Sequence, residues 1–345
     1  HSKRRKEGTM KILMIGGTGL LGSEGAREYI KRGHEVTSIA LPPLPEGATL
    51  PEEMKIHYGN YLEMSDDELR GYLKGVDAFV FAAGVDERVE GPAPIYNLYG
   101  KYNIEPLHRF FKLCKEEGVK KAVVLGSYFS HFAKKWPHLK LTMHHPYIRS
   151  RIDQEKVALS YADDNFQVVI LELPYIFGTQ PGRKPVWTFL VDSIRNMDKV
   201  TLYPAGGTTM VTVKQVAQVM AGALETEKSG AYPIGFYNLT WREFLKVVHE
   251  AMGMPDRKII TIPKFVYKMG GKQIAKRQKE EGIDPGLNMV KFADLQCNKL
   301  FIEPSEGALS LGMEPDDIES AIKDSIRLSM DVLDGHVDAI EMKGE

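Results

Sequence analysis

Short runs punctuate the first half of the chain at 11–15, 36–41, 55–58, 76–81, 121–125 and 167–173 and read as six strands, the first of them buried. Between them the apolar residues change period. Ala26, Tyr29 and Ile30 share one face of a helix that Gly33 closes, and 66–73 suggest another. Leu107, Phe110, Phe111 and Cys114 recur at i, i+3, i+4 and i+7 until Gly118 stops the helix, which makes Cys114 a core residue rather than a nucleophile. Strands alternating with helices predict an α/β fold, a doubly wound parallel sheet with helices on both faces. Ligands of such sheets lie beyond the carboxyl ends of the strands. That is where 16–22, Asn60, 82–84, Ser127 and Pro174 fall.

Beyond Pro174 the pattern changes. The Gly-, Pro- and Arg/Lys-containing stretch 178–185 marks a boundary, and Val213, Val216, Ala217, Met220, Ala221 and Leu224 form a helical stripe. Thr240 and Glu243 make a capping box for a helix whose apolar face is Trp241, Phe244, Leu245 and Val248. The Lys/Arg-rich stretch 264–281 reads as a solvated helix face. These breaks predict a dinucleotide-binding domain over 10–177 and a smaller mixed α/β substrate domain over 178–335, with a return to the first near 208–225. The stretch 336–345 is then a tail.

Composition narrows the class. Of 345 residues, 43% are hydrophobic and 26% charged, as in a soluble globular protein. The nine residues before Met10 read as a tag remnant; without their four Lys/Arg and one Glu the chain has 41 basic and 45 acidic residues, a net charge of −4. Neither a nucleic acid nor a membrane partner is expected from that balance. No apolar run approaches the ~18 residues of a membrane span, and two distant cysteines, Cys114 and Cys297, suit a reducing cytoplasm. His131, His138, His144 and His145 cluster, but no second ligand group stands at a metal-binding spacing, so no metal is expected and these become surface or substrate-loop residues.

The candidate chemistry begins at Gly16-Gly17-Thr18-Gly19-Leu20-Leu21-Gly22, which ends the first strand and opens a helix. Strand, glycine turn, helix, strand is the unit that holds a dinucleotide. The pyrophosphate lies at the helix N-terminus, where unpaired N–H groups and the dipole favour anions. A second constellation is 145–151. If it opens a helix, Tyr147 and Arg151 share a face. A phenol, with a pKa near ~10, is a poor acid–base group at neutral pH unless a fixed cation stabilises its phenolate. Ser127, at the tip of the fifth strand, adds a hydroxyl that can hold a substrate oxygen. Tyr128, Phe129, Trp136, Met143 and Trp187 are candidates for an organic pocket.

The glycine spacing resembles the short-chain dehydrogenase/reductase superfamily, and the whole motif its extended branch, the NAD-dependent epimerase/dehydratase family. Across 10–330 the resemblance implies a Rossmann sheet. It places the family's Tyr-x-x-x-Lys on Tyr147 to Arg151, its active-site serine on Ser127 and its helix asparagine on Asn103. It also puts Asn60, Tyr61, Ala82, Ala83, Gly84, Tyr147, Arg151, Pro174, Tyr175 and Ile176 around the cofactor, beside Gly16, Thr18, Gly19, Leu20, Leu21 and Gly22. Leu311-Gly312-Met313-Glu314-Pro315 resembles the family's C-terminal Leu-Gly-x-x-Pro. Three positions depart from it. Arg151 replaces the motif lysine, Ala40 stands where an acidic residue would bind the ribose 2′-OH, and Asn60 replaces an aspartate.

The resemblance implies an enzyme and a homodimer, with NAD or NADP as cofactor; Ala40 leans towards NADP. The first expectation is hydride transfer on a small organic carbonyl or alcohol. Alternatives are a nucleotide-sugar epimerase or dehydratase using NAD, and a non-catalytic NAD(P)-sensing protein.

Overall fold

The computed structural model describes residues 8–341. Six strands lie close to the expected runs: β1 (Lys11–Ile15), β2 (Glu35–Ala40), β3 (Lys55–Tyr58), β4 (Ala78–Phe81), β5 (Lys121–Ser127) and β6 (Gln167–Leu173). Three strands precede the next contribution to this sheet: β7 (Tyr175–Phe177), β8 (Val200–Pro204) and β9 (Gly207–Thr212). It comes from β10 (Gly230–Pro233), which pairs in parallel with β6 and completes seven strands in the order β10-β6-β5-β4-β1-β2-β3. Sequence reasoning missed β10 because it is short, bounded by Gly and Pro, and half-buried at an edge.

Helices cover both faces. On one side α1 (Leu20–Lys31) packs with Ile12, Met14, Val80, Val123 and Leu171. On the other, α2 (Asp66–Leu73), α3 (Glu105–Glu116) and α5 (Pro146–Ser160) cover Leu13, Phe79, Val124 and Ile170, with Cys114 fully buried among them. Between α3 and α5 in sequence, α4 (Tyr128–Lys135) leaves β5 without a loop. After α6 (Thr188–Arg195) the chain returns to the sheet as α7 (Val213–Glu225), opened by a Thr212–Gln215 capping box and lying against α1. Its Met220 carbonyl accepts the buried Tyr29 hydroxyl (3.2 Å).

A second core holds Phe177, Trp187, Val191, Phe244, Leu245, Ile322 and Ile326. It is built from α6, α8 (Trp241–Ala251) and α10 (Ile318–Leu333) around β7, β9 and β11 (Tyr237–Thr240). The capping box at Thr240 and Glu243 is present as the sequence predicts. The basic helix α9 (Lys264–Glu281) buries only Gly271 and Gln278, in keeping with a solvated face. Among the described residues, no helix is long and apolar enough to cross a membrane.

Candidate active site

The glycine turn is shaped by close approaches. Gly16 has φ +86°, and a Cβ there would lie 2.5 Å from the Ala82 carbonyl oxygen at the end of β4. A Cβ on Gly22 would lie 1.9 Å from the Gly16 carbonyl oxygen, so the first turn of α1 rests directly on the strand end. Gly17 N–H donates to Ser38 Oγ on β2 (2.9 Å), and the Gly19 carbonyl accepts the Ser23 N–H (2.9 Å) to begin the helix. Thr18 is buried, and its Oγ1 has no hydrogen-bond partner among the described residues. An orphaned hydroxyl in a cradle too narrow for side chains, beside a helix N-terminus, fits the polar, anionic middle of a dinucleotide.

Around this turn the other expected residues divide. Ala40, Ala82 and Ala83 close the ends of β2 and β4 as buried residues. Asn60 Oδ1 accepts the Leu62 N–H (3.0 Å), so it caps the turn Tyr61–Glu63. The Tyr61 ring packs against Phe81 and Phe110 and is a core residue.

One hydrogen-bond chain ties the second constellation together. Tyr147 opens α5, where Pro146 occupies the first turn at no cost in backbone bonds. One turn on, Arg151 Nε–H donates to the Tyr147 hydroxyl oxygen (3.0 Å). Arg151 Nη1 donates to Gln154 Oε1 (2.8 Å) and to the Leu125 carbonyl on β5 (3.3 Å). Gln154 Nε2 then donates to the Asn103 carbonyl (2.7 Å), and the Asn103 side chain grips both Val85 N–H (2.8 Å) and the Val85 carbonyl (3.1 Å). Asn103 sits in a π-helical turn, Gly100–Ile104, just ahead of α3. Ser127, at the β5–α4 junction, accepts the Phe129 N–H (3.1 Å).

Burial raises the Tyr147 pKa, while the Arg151 guanidinium pulls it back down. The phenol therefore holds its proton, with a cation in place to receive the negative charge if that proton leaves. Aromatic rings wall the site. Tyr99 lies 5.4 Å and Phe129 6.4 Å from the Tyr147 ring, Tyr128 lies 6.3 Å from Tyr175, and Tyr175 lies 5.1 Å from Trp187. The Tyr128 hydroxyl is bonded to Thr208 Oγ1 (2.8 Å).

Sequence reasoning missed two residues here. Gln154 stands seven positions after Tyr147 on the same helical face, a spacing that would have found it. Glu87 lies on the segment after β4; burial and then the Asp86 charge raise its own pKa, against the pull of Arg88 and Arg151, and in its charged form it raises the pKa values of Tyr99, Tyr128, Tyr147 and Tyr175. Its only sequence signal is an acidic residue beyond a strand's carboxyl end.

Other expectations are corrected. His145 is neither a surface nor a substrate-loop residue; it is fully buried, its Nδ1 accepts the Asn288 N–H (3.0 Å), and burial pushes its pKa down to about 4. Met143 is 65% exposed and stands apart from the aromatic wall that Tyr128, Phe129 and Trp187 form, while Trp136 packs behind that wall, tilted against Phe132 (4.7 Å). No group of three or more metal-ligating side chains occurs among the described residues.

The doubly wound sheet with this glycine turn and a buried tyrosine beyond its fifth strand is that of the extended short-chain dehydrogenase/reductase class, with Arg151 in place of the motif lysine. The chain belongs to the NAD dependent epimerase/dehydratase family, a family of enzymes, whose model matches residues 12–235. No curated protein sequence matches it. Among solved structures, gox2253 is similar at 22% identity, with a TM-score of 0.70 over 95% of this chain and 99% of that one. UDP-glucose 4-epimerase from Bifidobacterium longum, solved with NAD+ and UDP, is similar at 16% identity and a TM-score of 0.64, over 94% and 99%. UDP-N-acetylglucosamine 4-epimerase from Methanobrevibacter ruminantium M1, solved with UDP-N-acetylmuramic acid, gives 16% and 0.63 over 94% and 99%. At these identities the likeness is one of fold.

Proposed function

We propose that the chain is an NAD(P)(H)-dependent oxidoreductase that reduces a small, largely apolar organic carbonyl. The observation that carries this reading is the 3.0 Å contact from Arg151 Nε to the Tyr147 hydroxyl, set in a wall of aromatic rings. The dinucleotide, when bound, would supply the hydride. Backbone N–H groups of 16–22 would hold its pyrophosphate, 82–84 and Asn60 its adenosine half, and Arg151 with 174–176 its nicotinamide half. As the substrate oxygen gains charge, Tyr147 would give it the phenolic proton and Ser127 would hold it. Arg151 then stabilises the phenolate left behind. The raised Tyr147 pKa keeps the proton in place at neutral pH, which suits reduction better than oxidation. A non-catalytic sensor would have no use for this contact.

Ala40 at the end of β2 leaves no carboxylate to repel a 2′-phosphate, so NADP(H) is the favoured form. A preference for NAD(H) above about a hundredfold, roughly 2.7 kcal/mol, contradicts that choice. The homodimer belongs to the same proposal, and light scattering of the purified protein tests it.

A nucleotide-sugar epimerase is the second reading, favoured by the UDP and UDP-sugar in the similar structures above. The experiment sets the two against each other. Purified protein is mixed with NADPH or NADH and a panel of aliphatic and aryl aldehydes and ketones, and separately with UDP-sugars. Consumption of reduced nicotinamide by a carbonyl, in protein that releases its dinucleotide on dialysis, supports the oxidoreductase. Epimerised UDP-sugar, with NAD retained and no carbonyl reduced, overturns it.

A further inference from the structure

The segment after β7 folds back over the glycine turn. Gly178 is fixed by the Ser325 side chain, which accepts its N–H (3.0 Å) and donates to its carbonyl (3.2 Å). Ile340 N–H donates to the Gly182 carbonyl (2.8 Å) and Lys184 N–H to the Ile340 carbonyl (2.9 Å), so the segment is pinned from the far side as well. Within it, Gln180 Nε2 donates to the Thr18 carbonyl (2.9 Å). Arg183 Nε donates to Gln180 Oε1 (2.7 Å), and Arg183 Nη2 reaches the same Thr18 carbonyl (3.4 Å). Arg183 is 3% exposed and Gln180 7%.

These two side chains line a small cavity of about 30 Å³ together with Leu20, the first residue of α1, and Ile176. Two features favouring an anion line this cavity, and one more belongs to the adjoining glycine turn. The first is the N-terminus of a helix of 12 residues, with its unpaired N–H groups and dipole. The second is a guanidinium, which stays charged when buried and presents a planar fork of donors suited to phosphate oxygens. The one on the turn is the buried, unpartnered Thr18 hydroxyl.

We infer that Arg183, positioned by Gln180, is a ligand for the dinucleotide pyrophosphate, an inference that rests on the proposed binding of a dinucleotide at 16–22. It also bears on the substrate. A nucleotide-sugar carries its own diphosphate and needs cations on the substrate side of Tyr147. Arg183, the boundary-segment cation best placed to supply one, is instead turned onto the cofactor turn by Gln180 and the Thr18 carbonyl.

The test compares ligands that share the adenosine half and differ in phosphate. Binding of NADP+, NAD+, ADP-ribose and adenosine to the full chain is measured by calorimetry, with ligand-observed NMR for the weakest. Arg183→Met is expected to weaken ADP-ribose and both dinucleotides at least tenfold and to leave adenosine unchanged. Arg183→Lys, which keeps the charge but loses the fork, recovers part of the loss. Equal affinity of the parent and Arg183→Met for ADP-ribose overturns the inference. So does a proportional loss of adenosine and ADP-ribose, which marks Arg183 as a structural clamp only. A parent protein that binds neither dinucleotide removes the reading beneath it.

Discussion

At the scale of single residues, the site is governed by what surrounds one phenol. Tyr147 has a cation at hydrogen-bond distance, and a carboxylate, Glu87, that disfavours its ionisation. The two act in opposite directions on its pKa, so substitutions should separate them. Removing the guanidinium (Arg151→Met) raises the Tyr147 pKa. Oxidation of the product alcohol, which needs the phenolate, should then require a higher pH, with a rate at pH 7 at least tenfold lower. Glu87→Gln removes the carboxyl whose ionisation raises the Tyr147 pKa, and the same profile should move towards acid. Arg151→Lys keeps the charge and should retain measurable activity with a shifted profile. The pH dependence of the three variants checks this; shifts of the same sign for Arg151→Met and Glu87→Gln contradict it. Tyr147 and Arg151 were legible because their spacing is one helical turn. Glu87 was not, because its effect arises from a loop whose path only the tertiary structure fixes, through the Asn103–Val85 bonds and the Tyr99 hydroxyl on the Asp86 carbonyl (3.0 Å).

At the scale of elements, two junctions carry most of the information. The first is the β1–α1 turn, where Gly22 lies against the Gly16 carbonyl. Gly22→Ala forces strand end and helix apart, an overpacking change that costs on the order of 1–3 kcal/mol. Its melting temperature should fall by a few degrees and dinucleotide affinity by tenfold or more. Calorimetry that finds unchanged affinity contradicts the assigned role of the turn.

The second junction lies where β6 meets α4 and α5. Glu172 and Glu155 are both buried, and they share the half-exposed Lys134 (2.9 and 2.8 Å). Burial, and then the nearby Glu155 charge, push the Glu172 pKa up to about 9 from an ordinary 4.5. The folded state therefore binds a proton that the unfolded chain has released. Stability falls as pH rises from about 4.5 towards 9, because over that window the unfolded state holds fewer protons. Glu172→Gln keeps a donor towards Glu155 and removes the titration. Denaturant melts should show the parent losing stability between pH 5 and pH 8 and the variant losing less. Equal slopes for the two contradict a raised Glu172 pKa in the folded state.

At the scale of the whole molecule, the sequence pattern located the fold wherever one face of an element is buried in a single core. Strands β1, β2, β4, β5 and β6 and the helices beside them were legible because both sheet faces are covered there, whereas β3 at the edge is mostly exposed. The edge strand β10 and the two-residue strand Lys299–Leu300 were illegible because neighbours, rather than their own residues, make them strands. The site was legible to the same degree. The pairing of Tyr147 with Arg151 could be read from spacing within one helix, whereas Gln180 and Arg183 meet Thr18 only because the chain returns across more than 160 positions. His145 shows the converse: a polar residue in a histidine-rich stretch looks exposed until Phe292 and Asn288 from a distant segment close over it.

The central claim is that Tyr147 moves the proton in a hydride transfer, and substitution by phenylalanine tests it most directly. Tyr147→Phe keeps the ring that packs against Tyr99 and Phe129 and removes only the hydroxyl that Arg151 contacts. Turnover of a carbonyl substrate found in the screen, and dinucleotide affinity, are measured side by side on the parent and the variant. The expected result is a fall in kcat of at least a hundredfold, about 2.7 kcal/mol of lost transition-state stabilisation, with cofactor affinity within a factor of about three. A variant that turns over at the parent's rate contradicts the account.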